Sequence, residues 1–223
     1  MKSAEFLKPP EWSNRRSLFK SMGYTDADLE RPLIGIANSW NRINPGHSNL
    51  RAVADSVSQG VLRAGGTPVE FGVIGPCDGM ANGSKGMHYI LPSRDLIAAD
   101  IEVMMESQIL DGIVLIGSCD KIVPGMLMAA VRLDVPAILV PGGPMEGGCL
   151  FDGRSSDTST FTEALGMLQA GKIVQAEYDK LEDEAAPTCG SCAFLGTANS
   201  MCCVAEAMGM TLSYASTAPA VSA

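Results

Sequence analysis

Short apolar runs alternate with longer segments of helical periodicity as far as Pro141. Uniformly apolar short runs are typical of strands that are buried on both faces of a sheet. Strand–helix alternation of this kind predicts parallel strands joined by right-handed crossovers. We therefore predict an α/β fold with a mostly parallel sheet flanked by helices, in which Ser93 is the N-cap of the second helix. The strands are expected at residues 32–38, 68–74, 112–117 and 136–140, and the helices between them at residues 48–64, 91–110 and 124–133.

The pattern changes after Pro141, where Gly, Ser and Asp become frequent. No internal repeat and no linker divides the chain, so residues 1–223 are expected to form a single α/β domain. The elements expected in this second part are a loop at residues 142–157, one helix or two at 160–181, a turn-rich loop at 187–196, a helix at 197–210 and no regular element at 213–223.

Composition narrows the class of protein. The chain has 223 residues, of which 46% are hydrophobic, and its net charge is −9. An acidic surface repels phosphate backbones, so we expect no nucleic-acid partner. No apolar run approaches the roughly 20 residues that span a bilayer, and residues 1–10 lack the apolar segment of a signal peptide. We therefore expect a cytoplasmic protein with no membrane partner.

Seven cysteines are present, an odd number. Disulfides are rare in cytosolic proteins, so these thiols either bind a metal or serve as small buried hydrophobic residues. We expect the second role for Cys149, which lies in a Gly-rich loop, and for Cys202 and Cys203, which lie in a predicted helix. The other four are Cys77, Cys119, Cys189 and Cys192.

Candidate ligands follow the predicted strands. Ligands of α/β proteins bind outside the carboxyl ends of the strands, and the segments 38–47, 75–80 and 117–121 directly follow the first three. A fourth loop, 187–192, precedes a predicted helix. Helix N-termini and turn glycines at such places favour an anionic group.

These loops carry ligands of two kinds. Cys119 and Cys192 are soft thiolate candidates for zinc or an iron–sulfur cluster, and Cys77 and Cys189 are further possibilities. Asp78 and Asp120 are hard carboxylates of the kind that bind Mg²⁺. The combination predicts one sulfur-bound and one oxygen-bound metal centre, which together suit the polarisation of a hydroxy acid.

The same residues also admit simpler interpretations. Cys189 and Cys192 have the spacing of a zinc or redox pair, but a structural zinc site needs four ligands and no second pair is visible. Lys121 beside Asp120 is compatible with a solvated charge pair, and His47 with a loop histidine that local hydrogen bonds satisfy. A structural zinc protein therefore stays open as an alternative.

Four segments resemble the dihydroxy-acid and phosphogluconate dehydratase family. The most specific is Ser-Cys-Asp-Lys-Ile-Val-Pro-Gly-Met-Leu-Met-Ala-Ala at 118–130. The others are Cys-Asp-Gly at 77–79 with Leu-Pro-Ser-Arg at 91–94, Pro-Gly-Gly-Pro-Met at 141–145, and Pro-Thr-Cys-Gly-Ser-Cys at 187–192. The resemblance implies the N-terminal domain of a two-domain enzyme.

The resemblance also implies roles for individual residues. Cys119 and Cys192 would be ligands of an iron–sulfur cluster, either [2Fe–2S] or [4Fe–4S]. Asp78 and Asp120 would bind Mg²⁺. Lys121 would be carbamylated in the active form, because a carbamate is an anionic oxygen donor whereas an ammonium repels a cation.

Two departures from the family pattern bear on these roles. Some relatives carry a cysteine in the Asn-Pro-Cys position where this chain has Gly46, so one possible cluster ligand is missing from the first loop. Family members are also much longer, and their C-terminal part supplies a further Mg²⁺ ligand and the serine thought to act as base. We therefore expect a truncated form of the enzyme, with no catalytic base in this chain.

The implied reaction is the dehydration of a small 2,3-dihydroxy acid to a 2-keto acid. The segments at 118–130 and 141–145 favour the branched dihydroxy acids of valine and isoleucine synthesis. The segment at 77–79 is closer to the phosphogluconate branch, so a phosphogluconate or aldonate dehydratase is the alternative. A non-catalytic fragment is a third possibility, and a homodimer is expected for the full-length protein.

Overall fold

A four-stranded parallel sheet forms the centre of the protein in our computed structural model, which describes residues 1–222. The strand order is β2-β1-β3-β4, and all neighbouring strands are parallel. This arrangement confirms the α/β class and all four predicted strands. The strands are β1 (Leu33–Asn38), β2 (Thr67–Gly72), β3 (Gly112–Gly117) and β4 (Ala137–Pro141).

Ten α-helices accompany the sheet in the described residues. The long helices α4, α6 and α7 connect successive strands, as the alternating pattern predicts. The helices are α1 (Lys2–Glu5), α2 (Ser13–Ser21), α3 (Asp26–Leu29), α4 (Leu50–Arg63), α5 (Asp78–Ala81), α6 (Met87–Gln108), α7 (Ile122–Leu133), α8 (Thr160–Gln169), α9 (Gln175–Glu184) and α10 (Thr197–Ala207).

Both faces of the sheet are covered, which explains why the strands are so uniformly apolar. Successive side chains of a strand point to opposite faces. In β3, Leu115 joins the cluster formed with α6 and α7, whereas Val114 and Ile116 join the cluster formed with α4. All six residues of β3 are buried.

The start of α6 differs from the prediction. The helix begins at Met87, and the predicted N-cap, Ser93, lies inside it and donates its hydroxyl to the carbonyl of Ile90 at 2.6 Å. Pro92 is tolerated in the helix because its missing N–H would face the carbonyl of His88, which is exposed in the first turn. The apolar run from residue 91 therefore marks the buried part of the helix rather than its beginning.

The second half of the chain follows the predicted pattern with one addition. Residues 160–181 form two helices, α8 and α9, which is one of the two predicted forms. Within the predicted loop 142–157, a short antiparallel hairpin pairs β5 (Leu150–Phe151) with β6 (Arg154–Ser155). Residues 213–222 form only turns, as expected, and Ala223 lies outside the described residues. None of the described helices is long and apolar enough to cross a membrane.

A single carboxylate, that of Asp111, ties the N-terminus to the sheet. It accepts hydrogen bonds from the backbone N–H of Ser3 at 3.0 Å, from the Ser3 hydroxyl at 2.5 Å and from the backbone N–H of Leu33 at 2.9 Å. Ser3 is fully buried, so these donors have no access to water.

Replacement of Asp111 by alanine is therefore expected to destabilise the fold. Loss of the acceptor leaves buried donors unpaired, and we expect the free energy of unfolding to fall by roughly 2–4 kcal/mol. Urea unfolding followed by circular dichroism measures this change. Asp183→Ala, at an exposed position of α9, is the matched control and should change stability by less than about 0.5 kcal/mol. Equal losses in both variants would contradict this account.

Candidate metal centre

The site lies at the switch point of the sheet, where successive crossovers lead to opposite edges of the sheet. From β1 the chain crosses to β2 on one side, and from β3 it crosses to β4 on the other. The carboxyl ends of β1 and β3 therefore lie side by side and leave a crevice between the loops that follow them. Ser39 spans this crevice, because its backbone N–H and its hydroxyl both donate to the carbonyl of Ile116, at 3.1 and 2.9 Å.

Three thiols converge at this edge of the sheet. Cys77 follows β2, Cys119 follows β3, and Cys192 lies in the loop before α10. Burial raises the pKa of Cys119, and the neighbouring charges of Cys77 and Cys192 raise it further. Burial also raises the pKa of Cys77, to which Cys192 contributes. Cys192 therefore lies close enough to Cys77 and Cys119 to raise the pKa of each.

The convergence brings together the two predicted cluster cysteines and one of the two that were left open. Cys77 joins Cys119 and Cys192, whereas Cys189 is not among the groups that influence either Cys77 or Cys119. The sequence leaves Cys77 and Cys189 equally open, although Cys189 lies three residues from Cys192. The fold places the loop of Cys77 at the same edge as the loop of Cys119, because β2 and β3 both end there.

Cys119 has an unusual backbone conformation. Its φ of 72° lies in the left-handed region, which non-glycine residues rarely adopt and which costs on the order of 1 kcal/mol or more. Its side chain is 7% exposed, and the Sγ–H donates to Oδ1 of Asn44 at 3.1 Å. Strain of this kind persists only where the surroundings impose it, and it is frequent at functional sites.

The loop that carries Cys192 is anchored on both sides. Ser191 pairs with the loop after β4, since its N–H donates to the carbonyl of Gly143 at 3.0 Å and its carbonyl accepts from Met145 at 2.8 Å. The Asn199 side chain, in α10, donates to the carbonyls of Cys192 and Phe194, both at 2.8 Å. Cys192 is therefore held in place from the sheet and from the following helix.

Two asparagines attach the loop of Cys77 to the loop after β1. Asn41 and Asn44 both donate their side-chain N–H groups to the carbonyl of Gly75, at 3.0 and 3.3 Å. Oδ1 of Asn41 in turn accepts from the backbone of Ile43 and Asn44. Both asparagines lie in the candidate segment 38–47, but neither is assigned a role from the sequence, although an Asn that bonds to the backbone two residues ahead is the known signature of such turns.

The predicted Mg²⁺ ligands lie directly after two of the thiols. Asp120 forms an ion pair with Lys121, and in the described residues its buried Oδ1 has no other polar contact. Asp78 is the first residue of α5, and its charge raises the pKa values of Cys77 and Cys119. The loops after β2 and β3 therefore each carry a carboxylate next to a cysteine.

The spacing of these groups bears on the kind of metal site. Within residues 1–222, no three Cys, His, Asp or Glu side chains are arranged to hold a single metal ion. Three thiols that come from three separate loops are a ligand set of the kind that holds an iron–sulfur cluster.

The remaining cysteines lie away from this centre. Cys202 is buried in the main core cluster, where burial raises its pKa to about 12. Cys149 packs beside α8 and α9 in a separate small cluster. These positions fit the expected hydrophobic role, and Cys203 lies beside Cys202 on α10.

Comparison with known proteins identifies the family. A sequence model described as the N-terminal part of dihydroxy-acid/6-phosphogluconate dehydratase matches residues 31–223. The chain belongs to this family. The match confirms the resemblance drawn from the segments at 77–79, 118–130, 141–145 and 187–192, each of which lies within it.

Curated relatives of this dehydratase family resemble nearly the whole chain. The dihydroxy-acid dehydratase of Clostridium pasteurianum is 51% identical over 99% of this chain and 77% of that protein. Those of Caldanaerobacter subterraneus and Pyrococcus abyssi are 53% and 52% identical over 99% of this chain. The chain spans 40% of the length of each of the latter two relatives.

Proposed function

We propose that this chain is the metal-binding part of a hydro-lyase that converts a 2,3-dihydroxy acid to a 2-keto acid in branched-chain amino-acid biosynthesis. The observation that carries the proposal is the convergence of three thiols, each from a different loop, beside two carboxylates at the switch point of the sheet. The relatives named above support the dihydroxy acid as substrate over a sugar acid, since all three are described as dihydroxy-acid dehydratases.

Cys77, Cys119 and Cys192 are the proposed ligands of an iron–sulfur cluster. Either type of cluster ordinarily takes four protein ligands, so three thiolates would leave one iron with a position that a substrate hydroxyl could occupy. The position of Gly46 is consistent with this count, because a Cβ there would lie 2.6 Å from Sγ of Cys119 and no side chain of that loop supplies a fourth sulfur. The three-thiol ligand set fits [2Fe–2S] and [4Fe–4S] alike.

Asp78, Asp120 and Lys121 are the proposed ligands of Mg²⁺. Oδ1 of Asp120 is buried, and its polar contact is with the ammonium of Lys121. A buried carboxylate oxygen without hydrogen bonds is stabilised by a bound cation. Carbamylation of Lys121 would replace this ammonium by an anionic oxygen donor and give the cation a further ligand. The two carboxylates would then hold the ion beside the cluster.

The two proposed metal centres would have different roles in dehydration. When bound, the iron and Mg²⁺ act as Lewis acids that polarise the leaving hydroxyl and the substrate carboxylate, respectively. The residues of this chain bind and orient both centres. They also limit the access of water, since Cys119 is 7% exposed and its sulfur packs against Asn44 and Gly46 of the loop after β1. We assign no catalytic base to this chain.

Anaerobic reconstitution of the purified chain tests the proposal. We expect stoichiometric uptake of iron and acid-labile sulfide, with visible absorption and a paramagnetic resonance spectrum on reduction. Addition of 2,3-dihydroxy-3-methylbutanoate should change that spectrum in the presence of Mg²⁺, whereas 6-phosphogluconate should not. Uptake of one zinc without sulfide would reject the cluster, and a response to 6-phosphogluconate alone would move the substrate to the sugar acids.

A further inference from the structure

His47 occupies the crevice between the ends of β1 and β3. The side chain is fully buried, and each ring nitrogen faces a backbone carbonyl. Nδ1 lies 2.7 Å from the carbonyl oxygen of Ser39, and Nε2 lies 2.9 Å from that of Ser118. The backbone N–H of Ser118 lies 3.3 Å from the same Nε2, which donates to the carbonyl of Ser118 in one ring tautomer and accepts from this N–H in the other. The imidazole therefore joins the two strand ends and contacts both polar backbone groups of the residue before Cys119.

The loop that carries Cys77 closes over the same ring. A Cβ at Gly75 would lie 2.5 Å from Nδ1 of His47 and 3.0 Å from the carbonyl oxygen of Ser39, so only glycine leaves room for the imidazole here. Gly75 stands two residues before Cys77, and Ser118 one residue before Cys119. The ring thus packs between the loops of two of the three thiols.

Cys119 requires a neighbour that imposes its backbone conformation. The pairing of β3 with β4 ends at Gly117, and Cys119 then adopts its left-handed φ. The hydroxyl of Ser118 is buried and, among the described residues, has no hydrogen-bond partner, so the Ser118 side chain does not hold the loop through a hydrogen bond. Nε2 of His47 instead lies within hydrogen-bond distance of both the carbonyl and the N–H of Ser118.

We propose that His47 is a positioning residue that fixes the peptide before Cys119 in its left-handed turn and so directs the Cys119 sulfur toward the other two thiols. The expected effect of His47 on cluster binding rests on the proposed function. The hydrogen bonds of the imidazole are formed by residues of this chain alone. Under this proposal, the hydrogen bonds of His47 serve the metal centre as well as the loop.

The test measures the reactivity of each thiol in the metal-free chain. Wild type, His47→Phe and His47→Gln are treated with iodoacetamide, and alkylation is followed for each cysteine by peptide mass spectrometry. Buried Cys202, on α10, is the internal reference. We expect the ratio of Cys119 to Cys202 alkylation to rise roughly tenfold in both variants, because a released turn exposes the Cys119 sulfur. Asp111→Ala is the control for general destabilisation, since its contacts lie at the other end of the sheet.

Iron uptake by the same variants supplies the second measurement. Iron per folded chain should fall roughly tenfold in both His47 variants and in Gly75→Ala, which displaces the ring without removing it, but not in Asp111→Ala. An unchanged ratio of Cys119 to Cys202 alkylation in variants that fold would overturn the proposal, and so would a parallel rise at both cysteines. If both His47 variants fail to fold, Gly75→Ala decides by the same ratio.

The two proposals fail in different ways. A wild-type chain that takes up no iron, but whose Cys119 is released by the His47 variants, would reject the cluster and retain the positioning role. A wild-type chain that binds iron as well as its His47 variants do would reject the positioning role and retain the cluster.

Discussion

Serine in place of Cys77, Cys119 or Cys192 is expected to lower iron and acid-labile sulfide per folded chain by roughly tenfold or more after anaerobic reconstitution. A hydroxyl is a poor ligand for iron in such clusters, and a site with two thiols has too few ligands to retain one. The visible absorption of the cluster should be lost in parallel. The fold should survive at Cys77 and Cys192, which are only partly buried.

Cys189→Ser and Cys203→Ser are the matched controls for this prediction. Cys189 lies in the same loop as Cys192, and Cys203 is likewise partly buried, but neither is among the groups that shift the pKa of Cys77 or Cys119. Both variants should retain wild-type iron. Loss of iron in Cys189→Ser together with its retention in Cys77→Ser would show that the Cys-x-x-Cys pair, and not the loop after β2, supplies the third ligand.

This contrast shows what sequence reasoning could and could not decide. Cys119 and Cys192 were identified because each lies in a long and specific family segment. The choice between Cys77 and Cys189 depends on distance in space, which spacing along the chain does not give, so the sequence leaves both open. The strand order β2-β1-β3-β4 favours Cys77, since it brings the loop of Cys77 to the edge where Cys119 lies.

The positions of the strands were easier to predict than the side chains that hold the loops of the site. Burial on both faces makes β3 uniformly apolar and leaves few polar residues in the other three strands, so the strand positions could be predicted from the sequence. The beginning of α6 could not, because Pro92 is tolerated where the facing carbonyl is exposed. Nor could the roles of Asn44 and His47, whose partners lie 31 to 75 residues away in the chain. Polar side chains that join loops leave no periodic pattern.

Gly46→Ala is expected to impair the cluster far more than the fold. The added methyl would lie 2.6 Å from Sγ of Cys119, 3.3 Å from the backbone nitrogen of Ser191 and 3.4 Å from Oδ1 of Asn44. The backbone nitrogen cannot move easily, because Ser191 is paired with Gly143. The sulfur can, since it ends a short side chain with one rotatable bond. Relief of the contact therefore displaces the Cys119 sulfur from the position in which it meets the other thiols.

The measurement compares iron per folded chain with the free energy of unfolding. For Gly46→Ala we expect a loss of iron of roughly tenfold and a destabilisation of about 1–3 kcal/mol, the usual effect of overpacking a buried position. Gly60→Ala is the matched control, because Gly60 lies within α4 with nothing within 4 Å of the added methyl. Alanine should stabilise that helix by roughly 0.5–1 kcal/mol and leave iron uptake unchanged. Wild-type iron in Gly46→Ala would mean that the cluster does not need the Cys119 sulfur where the fold holds it, and the three-thiol site would then have to be abandoned.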